Sequence, residues 1–178
     1  MSFRRFIVIA GALLLLLATP VHADPGVWVG KWFKVTIAFN RLRISSTGVR
    51  TDRQRGAAYG KIESWNPSGG QLVATFHFYA PDSQSWFARS ADLTVFAGSD
   101  LDLFVLGTSA TKLQEFGFTA RLQGKQKGGA LKSASLRSLG GYSWEIDDVP
   151  GSDERWIGSF GLSGKLIDES KVPAGART

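Results

Sequence analysis

The chain contains no cysteine among its 178 residues. It therefore cannot form a disulfide, carry a thiol nucleophile, hold a metal through thiolates or be anchored through a lipid-modified cysteine. Histidine is almost as scarce, with His22 near the amino terminus and His77 as the only other. A single imidazole beyond the first residues speaks against a zinc or copper site, which needs several nitrogen or sulfur ligands.

Only the amino terminus carries a long apolar run. Arg4 and Arg5 precede the apolar residues 6–18, and the stretch "TPVHA" then ends on Ala23. A positive start, a short apolar centre and small residues before the cleavage point are typical of a signal peptide. We therefore expect residues 1–23 to be a signal peptide, removed on export to the periplasm or the medium of a bacterial cell. An uncleaved anchor helix is the alternative, although the run is short for a membrane span.

Positive charge dominates and is unevenly distributed. The formal net charge is +6, which becomes +4 without the two arginines of the signal peptide. One segment holds five arginines and a single acid, Asp52; the arginines are Arg41, Arg43, Arg50, Arg53 and Arg55. Such a segment is either a set of solvated turns or a site for an anionic glycan, a lipid head group or an acidic protein. Nucleic acid is a poor partner for an exported protein.

Apolar and polar residues alternate along most of the remaining chain. The pattern is clear in "FKVTIAFN", "QLVATFHFY", "SDLDLFVLG" and "FGFTARLQG", and it is typical of strands with one packed face. Turn residues separate these runs, for example in "WNPSGG", "APDSQ", "KQKGG" and "DDVPGSD". The pattern predicts an all-β protein, an antiparallel up-and-down barrel of about eight to ten strands over residues 24–167, with a β-sandwich as the alternative. Residues 168–178 are polar, and we expect a loose tail there.

Two similar phrases stand near the start and the end of this domain. The first runs from Trp28 to Trp32 as "WVGKW", and the second from Trp156 to Phe160 as "WIGSF". In a closed up-and-down barrel the first and last strands pair, so the two phrases would form an aromatic seam. The alternative is that short aromatic-glycine phrases recur by chance in a Trp-rich β protein.

The sequence Gly30-Lys31-Trp32 resembles the Gly-x-Trp motif at the first strand of lipocalins and related calycin barrels. The resemblance implies an eight-stranded barrel in which this Trp plugs one end and the interior binds a small apolar ligand. The stretch "GLSGKLIDESKVP" resembles the last strand of small exported β proteins of bacteria, a likeness that implies no activity.

The residues argue against an enzyme. "WEIDDVP" resembles the start of the catalytic strand of laminarinase-type glycoside hydrolases, but Val149 and Pro150 stand where the second acid is needed. His77 lies within a strand pattern, and the chain lacks the Gly-x-Ser-x-Gly stretch of a nucleophile elbow. The acidic stretch from Asp147 to Glu154 lacks the ligand spacing of a calcium loop. We therefore predict no catalytic residue, no metal and no cofactor.

Binding is the remaining class of function. We expect a small apolar ligand inside the barrel, with an anionic component of the cell envelope as the alternative partner. The candidate ligand-binding residues are aromatic; they are Trp32, Trp65, Phe76, Phe78, Phe104 and Trp144. We do not expect an integral membrane protein, because the chain ends in "GART" rather than an aromatic residue and charged residues interrupt the faces that would meet lipid.

Overall fold

The computed structural model describes residues 24–80, 83–111, 114–146 and 153–177, so the predicted signal peptide lies outside the described residues. Eight strands account for most of them. Their bounds are β1 (Trp32–Ser45), β2 (Gly48–Asn66), β3 (Gln71–Ala80), β4 (Ser85–Ser99), β5 (Asp102–Ala110), β6 (Gln114–Lys127), β7 (Ala130–Ile146) and β8 (Arg155–Ile167). Each strand pairs antiparallel with the next, and β1 pairs with β8, so the sheet closes into a barrel. This confirms the predicted all-β, up-and-down architecture.

The alternation in the sequence sorts side chains between the two faces of the wall. In β1, Phe33, Val35 and Ile37 are buried in the interior, whereas Lys34 and Thr36 are exposed. The same period of two runs through the other strands, because successive side chains of a strand point to opposite faces. Each such apolar side chain contributes about 1.5–3 kcal/mol when fully removed from water, so the interior residues supply most of the driving force for closure.

A tryptophan closes one end of the barrel, which we call the Trp28 end. Trp28 belongs to a short 3-10 helix, η1 (Pro25–Trp28), and is 0% exposed. Its Nε1 donates a 2.6 Å hydrogen bond to the carbonyl oxygen of Asp100, and its ring stacks on Phe33 with centroids 6.3 Å apart. The Gly-x-Trp resemblance implied that Trp32 would plug an end. In the structure Trp28 has this place, and Trp32 lies on the outer wall.

The interior next to Trp28 is filled. Phe33, Phe76 and Phe118 meet there, and the remaining void is only about 10 Å³. Glycines make room for the large rings: a Cβ on Gly107 would lie 2.3 Å from Cζ of Phe118, and one on Gly60 would lie 2.9 Å from Cε1 of Phe76. Interior packing at this density leaves no room for a ligand in this half of the barrel.

The two similar phrases do not meet across the closing seam. Because β1 and β8 are antiparallel, the phrases lie at opposite ends of the barrel: Trp32 pairs with Ile167, and Trp156 pairs with Arg43. The predicted pairing of the first and last strands is confirmed, but the Trp seam is wrong. The aromatic contact across the seam is instead that of Phe39 and Phe160, which are register partners with ring centroids 5.2 Å apart.

The residues after β8 turn back over the outer wall. They form two 3-10 turns, η2 (Glu169–Lys171) and η3 (Ala174–Ala176). Val172 and Ala176 are buried in an outer cluster with Trp32, against which Trp86 also packs. A Cβ at Gly175 would lie 2.5 Å from Cδ1 of Trp86, so this backbone lies directly against the indole ring. The segment expected from its polarity to be loose is held by this apolar contact, since Val172 and Ala176 occupy the positions that meet the wall.

Candidate functional site

A cavity of about 260 Å³ occupies the other half of the barrel, which we call the Arg41 end. Its wall is dominated by phenylalanine, with two aliphatic residues and a few polar side chains. The phenylalanines are Phe39, Phe76, Phe78, Phe87, Phe116, Phe118 and Phe160; the aliphatic residues are Ile37 and Leu162; the polar residues are Arg41, Gln54, Arg89, Gln114 and Glu145. We call this space the Phe cavity.

The rings of the Phe cavity are packed against one another. Phe160 has centroid distances of 5.2 Å to Phe116 and 5.7 Å to Phe118, and Phe78 stacks on Phe87 at 5.2 Å with an angle of 16° between the planes. Such pairs contribute about 0.5–1.5 kcal/mol beyond the burial of their area. The walls of the cavity are therefore held in place by their own contacts.

Arg41 forms the polar side of the Phe cavity. It is 8% exposed, and its Nη1 donates a 2.8 Å hydrogen bond to Oε2 of Glu145, while its Nη2 lies 3.8 Å from Oδ2 of Asp52. The guanidinium carbon also lies 4.6 Å from the ring centroid of Phe39 and 4.9 Å from that of Trp156. Ionic and ring contacts from several strands thus fix the position of this cation.

Two polar atoms of the Arg41–Asp52 ion pair make no hydrogen bond to the described residues. Nε of Arg41 and Oδ2 of Asp52 are buried without a hydrogen bond. A buried polar group without a partner costs about 1–3 kcal/mol. A polar group on a ligand could satisfy one of them at the place where the apolar cavity ends.

Of the six predicted ligand-binding residues, the structure places two, Phe76 and Phe78, in the cavity wall. Trp65 packs against the interior core from the edge of β2 and does not line the cavity. Phe104 lies on the outer wall, where the Arg121 guanidinium covers its ring at 5.3 Å. The remaining two, Trp32 and Trp144, also face outward, as their strand positions require.

The face of Trp144 follows from its neighbours in β7. Ser143 is buried opposite Phe116, and Glu145 lines the Phe cavity, so Trp144 between them points to the outside. The register partner of Trp144 on β8 is Ile157, an exposed residue. Sequence reasoning missed several aromatic residues of the cavity, above all Phe39, Phe116 and Phe160. Each of them occupies one of the alternate strand positions that face the interior.

The five predicted anion-binding arginines do not form one site. Arg41 and Arg43 are on the inward face and have acidic partners: Arg41 pairs with Glu145, and Arg43 donates from Nε to Oε2 of Glu154 at 2.8 Å. Arg50 is the register partner of Arg43 in the β1–β2 hairpin and is exposed. Arg53 and Arg55 point outward and are exposed. Of the five, only these last two belong to the basic outer face, where Nε of Arg53 donates a 3.4 Å hydrogen bond to Oδ1 of Asn40.

His77 lies on the outer wall and not in the Phe cavity. It is buried beside Trp32, with ring centroids 5.6 Å apart. Burial lowers the pKa of His77 below its usual value, an effect that nearby Glu63 opposes and Lys61 reinforces. The imidazole therefore stays neutral in neutral solution and serves as a packed ring of the outer cluster.

The described residues offer neither a metal site nor a membrane-spanning helix. No group of three or more His, Cys, Asp or Glu residues that could hold a metal ion occurs in the part of the chain that the structure describes. Most of the acidic stretch between β7 and β8 lies outside that part, although Asp153 accepts a hydrogen bond from the Ser46 amide and Glu154 pairs with Arg43. Among the described residues, no helix has both the length and the apolar character needed to cross a membrane.

The fold and the cavity define the class of this protein as an eight-stranded up-and-down β-barrel, half filled and half hollow. Comparison with known proteins adds nothing to that class, since no family model, no curated protein and no solved structure matches the chain.

Proposed function

We propose that the protein is an exported, non-enzymatic binding protein that holds a small, mostly apolar ligand in the Phe cavity. The observation that carries the proposal is the division of the interior: one half is packed to a void of about 10 Å³, and the other half has an aromatic-lined space of about 260 Å³. A filled barrel needs no such space, and an apolar cavity with a few converging polar groups is the usual form of a ligand site.

The geometry of the cavity supports a particular size and polarity of ligand. A volume of about 260 Å³ lies just below the usual range for pockets that hold drug-sized ligands, which favours a molecule smaller than a typical drug. The phenylalanine rings favour an aromatic or aliphatic body, with about 0.8 kcal/mol gained for each methylene removed from water. A single polar group would meet the Arg41 side of the cavity.

The first experiment asks whether the purified protein carries or accepts such a molecule. Native mass spectrometry of protein taken from the producing cells should show an adduct, and the apolar fluorescent probe phenylnaphthylamine should bind with enhanced emission. An adduct-free protein that neither binds the probe nor gains thermal stability from any of a panel of small apolar compounds would contradict the proposal.

A matched pair of variants locates the site. Leu162→Phe adds a ring inside the Phe cavity, whereas Leu106→Phe makes the same change at an exposed position on the outer wall. Because overpacking costs about 1–3 kcal/mol, Leu162→Phe should weaken probe binding about tenfold or more. Leu106→Phe should leave it unchanged. Equal effects of the two substitutions would place the probe outside the cavity.

Export is part of the same proposal. The charge, apolar run and small residues at the amino terminus support it. Sequencing the amino terminus of the protein recovered from the envelope or the medium should show that it begins at Asp24. A full-length product retained in the cytoplasm would contradict export.

A further inference from the structure

The outer wall at the Arg41 end carries an apolar patch on four neighbouring strands. In one row of register partners, Trp144 of β7, Ile157 of β8 and Leu42 of β1 lie side by side. The row nearer the strand ends contains Ile44 beside Val49 of β2, which is 63% exposed. All of these side chains occupy outward positions, because the residues between them in each strand face the interior.

Further residues extend the patch toward the middle of the wall. Tyr142 lies on β7 two residues from Trp144 and is 44% exposed. Leu139, 60% exposed, stands at the interruption of the β7–β8 pairing between Arg137 and Tyr142. Five of the eight large apolar side chains that the structure leaves exposed are on this side of the barrel; they are Leu42, Val49, Leu139, Tyr142 and Ile157. We call them, with Ile44 and Trp144, the apolar patch.

Basic side chains border much of the apolar patch. Arg155 lies between Ile44 and Ile146 in the outermost row of register partners. Arg53 and Arg55 on β2 lie two and three rows further toward the middle of the wall. All three are exposed. Further along the same wall the outward positions hold three more exposed bases; these are Lys34, Arg137 and Lys165.

Acidic side chains are scarce on the same wall and lie at its borders, where Asp153 accepts a hydrogen bond from the Ser46 amide at the strand ends. Among the described residues of segments 32–45, 49–59, 135–146 and 155–167, the acids Asp52 and Glu145 face inward, and no outward position holds an acid. Glu115 of β6 borders the apolar patch, because it is the register partner of Trp144 and its Oε1 accepts a 2.6 Å hydrogen bond from the Tyr142 hydroxyl. On the opposite side of the barrel Asp92 and Asp102 point outward, and Arg121 is bound to Asp102 at 2.5–2.6 Å. Bases therefore outnumber acids on the wall that carries the apolar patch.

We propose that this wall docks onto the surface of a bilayer that contains anionic lipid, with the apolar patch entering the head-group region and the bases contacting lipid phosphates. Trp and Tyr beside aliphatic residues, bordered by Arg and Lys, is the arrangement that suits a membrane interface. A second copy of the chain is a poor occupant, because a symmetric contact would bring the same six bases against one another. An anionic glycan would use the bases but would leave the aliphatic residues without a role.

The docking surface is independent of the Phe cavity, since no residue of the apolar patch lines that space. It acts at the same end of the barrel, however. A protein held by this wall would bring the end that contains the Phe cavity close to the lipid surface.

Flotation with vesicles tests the charge part of the proposal. The purified protein should float with vesicles of phosphatidylcholine plus phosphatidylglycerol, much less with phosphatidylcholine alone, and the difference should shrink as salt is added. Arg53→Gln/Arg55→Gln should weaken binding about thirtyfold, at about fivefold for each base near the surface. Lys125→Gln/Lys127→Gln removes the same charge at the Trp28 end and should have little effect. Equal losses from the two double variants would overturn the proposal.

The apolar part needs a separate measurement. Leu139→Ser/Ile157→Ser should weaken binding to anionic vesicles even in high salt, because the side chains are exposed and contribute through burial in the head-group region. Vesicles with bromine-labelled acyl chains should quench part of the tryptophan fluorescence. Trp144→Phe should remove that quenched part, and Trp65→Phe should not, since Trp65 lies near the opposite end of the barrel.

Three outcomes would contradict docking on lipid. They are binding to a soluble polyanion such as heparin with none to anionic vesicles, formation of a salt-sensitive dimer through this face, and protein that stays in the bilayer after extraction with high salt and carbonate. The first would assign the wall to a glycan or acidic protein, the second to a second copy, and the third to insertion rather than docking.

Discussion

Adding one methyl group at Gly107 tests how the two halves of the interior are separated. A Cβ at this position would lie 2.3 Å from Cζ of Phe118 and 2.6 and 2.7 Å from its two Cε atoms. Carbon atoms pack at about 3.5–4.0 Å, so the Phe118 ring in Gly107→Ala must withdraw by about 1.2 Å or more. Overpacking of this kind costs about 1–3 kcal/mol, from which the usual gain of replacing glycine by alanine, about 0.4–1 kcal/mol, is subtracted. We expect a net loss of about 1–2 kcal/mol in the free energy of unfolding.

The assay is urea unfolding, followed by fluorescence, of Gly107→Ala and a matched control. Gly56→Ala makes the same change within a strand where the new Cβ meets no atom within 4 Å, so it should be neutral or slightly stabilising. Because Phe118 also lines the Phe cavity, its displacement should weaken phenylnaphthylamine binding. Gly107→Ala/Phe118→Leu should recover part of the lost stability. A Gly107→Ala protein as stable as Gly56→Ala would refute the packing described here.

Three further predictions concern other contacts of the barrel. Trp28→Phe should lose about 1 kcal/mol through the hydrogen bond to Asp100, and Trp28→Ala about 3–5 kcal/mol, both measured by urea unfolding; a Trp28→Phe protein of wild-type stability would deny the hydrogen bond a role. Burial lowers the pKa of His77 in the folded protein, so protonation favours the unfolded chain. The free energy of unfolding should therefore have its full value above pH 6.5 and fall as the pH drops through 6.5 toward the lower folded-state pKa. His77→Gln should flatten that part of the stability–pH curve, and an unchanged slope would contradict the assignment. Glu145→Gln should cost about 1–3 kcal/mol in thermal or urea unfolding by weakening the charge-assisted bond to Arg41, and wild-type stability would show that Asp52 and Gln54 satisfy that cation without the Glu145 charge.

The alternation of the sequence was sufficient to predict the strands and most of the turns. The stretches "WNPSGG" and "KQKGG" do end on hairpin turns, and Gly70, Gly128 and Gly129 there have the positive φ that such turns need. The antiparallel closure also followed, since a sheet of eight strands in series must protect its two edges. The strands and turns depend on residues that are close together in the chain, so their pattern can be read from the sequence.

The candidate site was predicted only in part. Phe76 and Phe78 could be assigned to the cavity because both follow the apolar parity of β3. Trp32, Trp65, Phe104 and Trp144 were chosen for their size, and three of them are on the outer wall. At Trp144 the alternation misleads, because the polar neighbours Ser143 and Glu145 are the residues that face the interior and the tryptophan faces outward. Which face of a strand lies inside the barrel depends on the register of its pairing, and that register is set by strands distant in the chain.

The sequence by itself determined that this protein is a disulfide-free all-β chain, because the absence of cysteine and the period of two are local facts that no folding event can change. Only the tertiary structure decided that Trp28 rather than Trp32 closes the barrel, that seven phenylalanines enclose a cavity beside Arg41, and that bases and apolar residues of four strands share one outer wall. The physical reason is that each of these arrangements joins residues on strands far apart in the chain. Their side chains become neighbours only when the sheet has closed in one register.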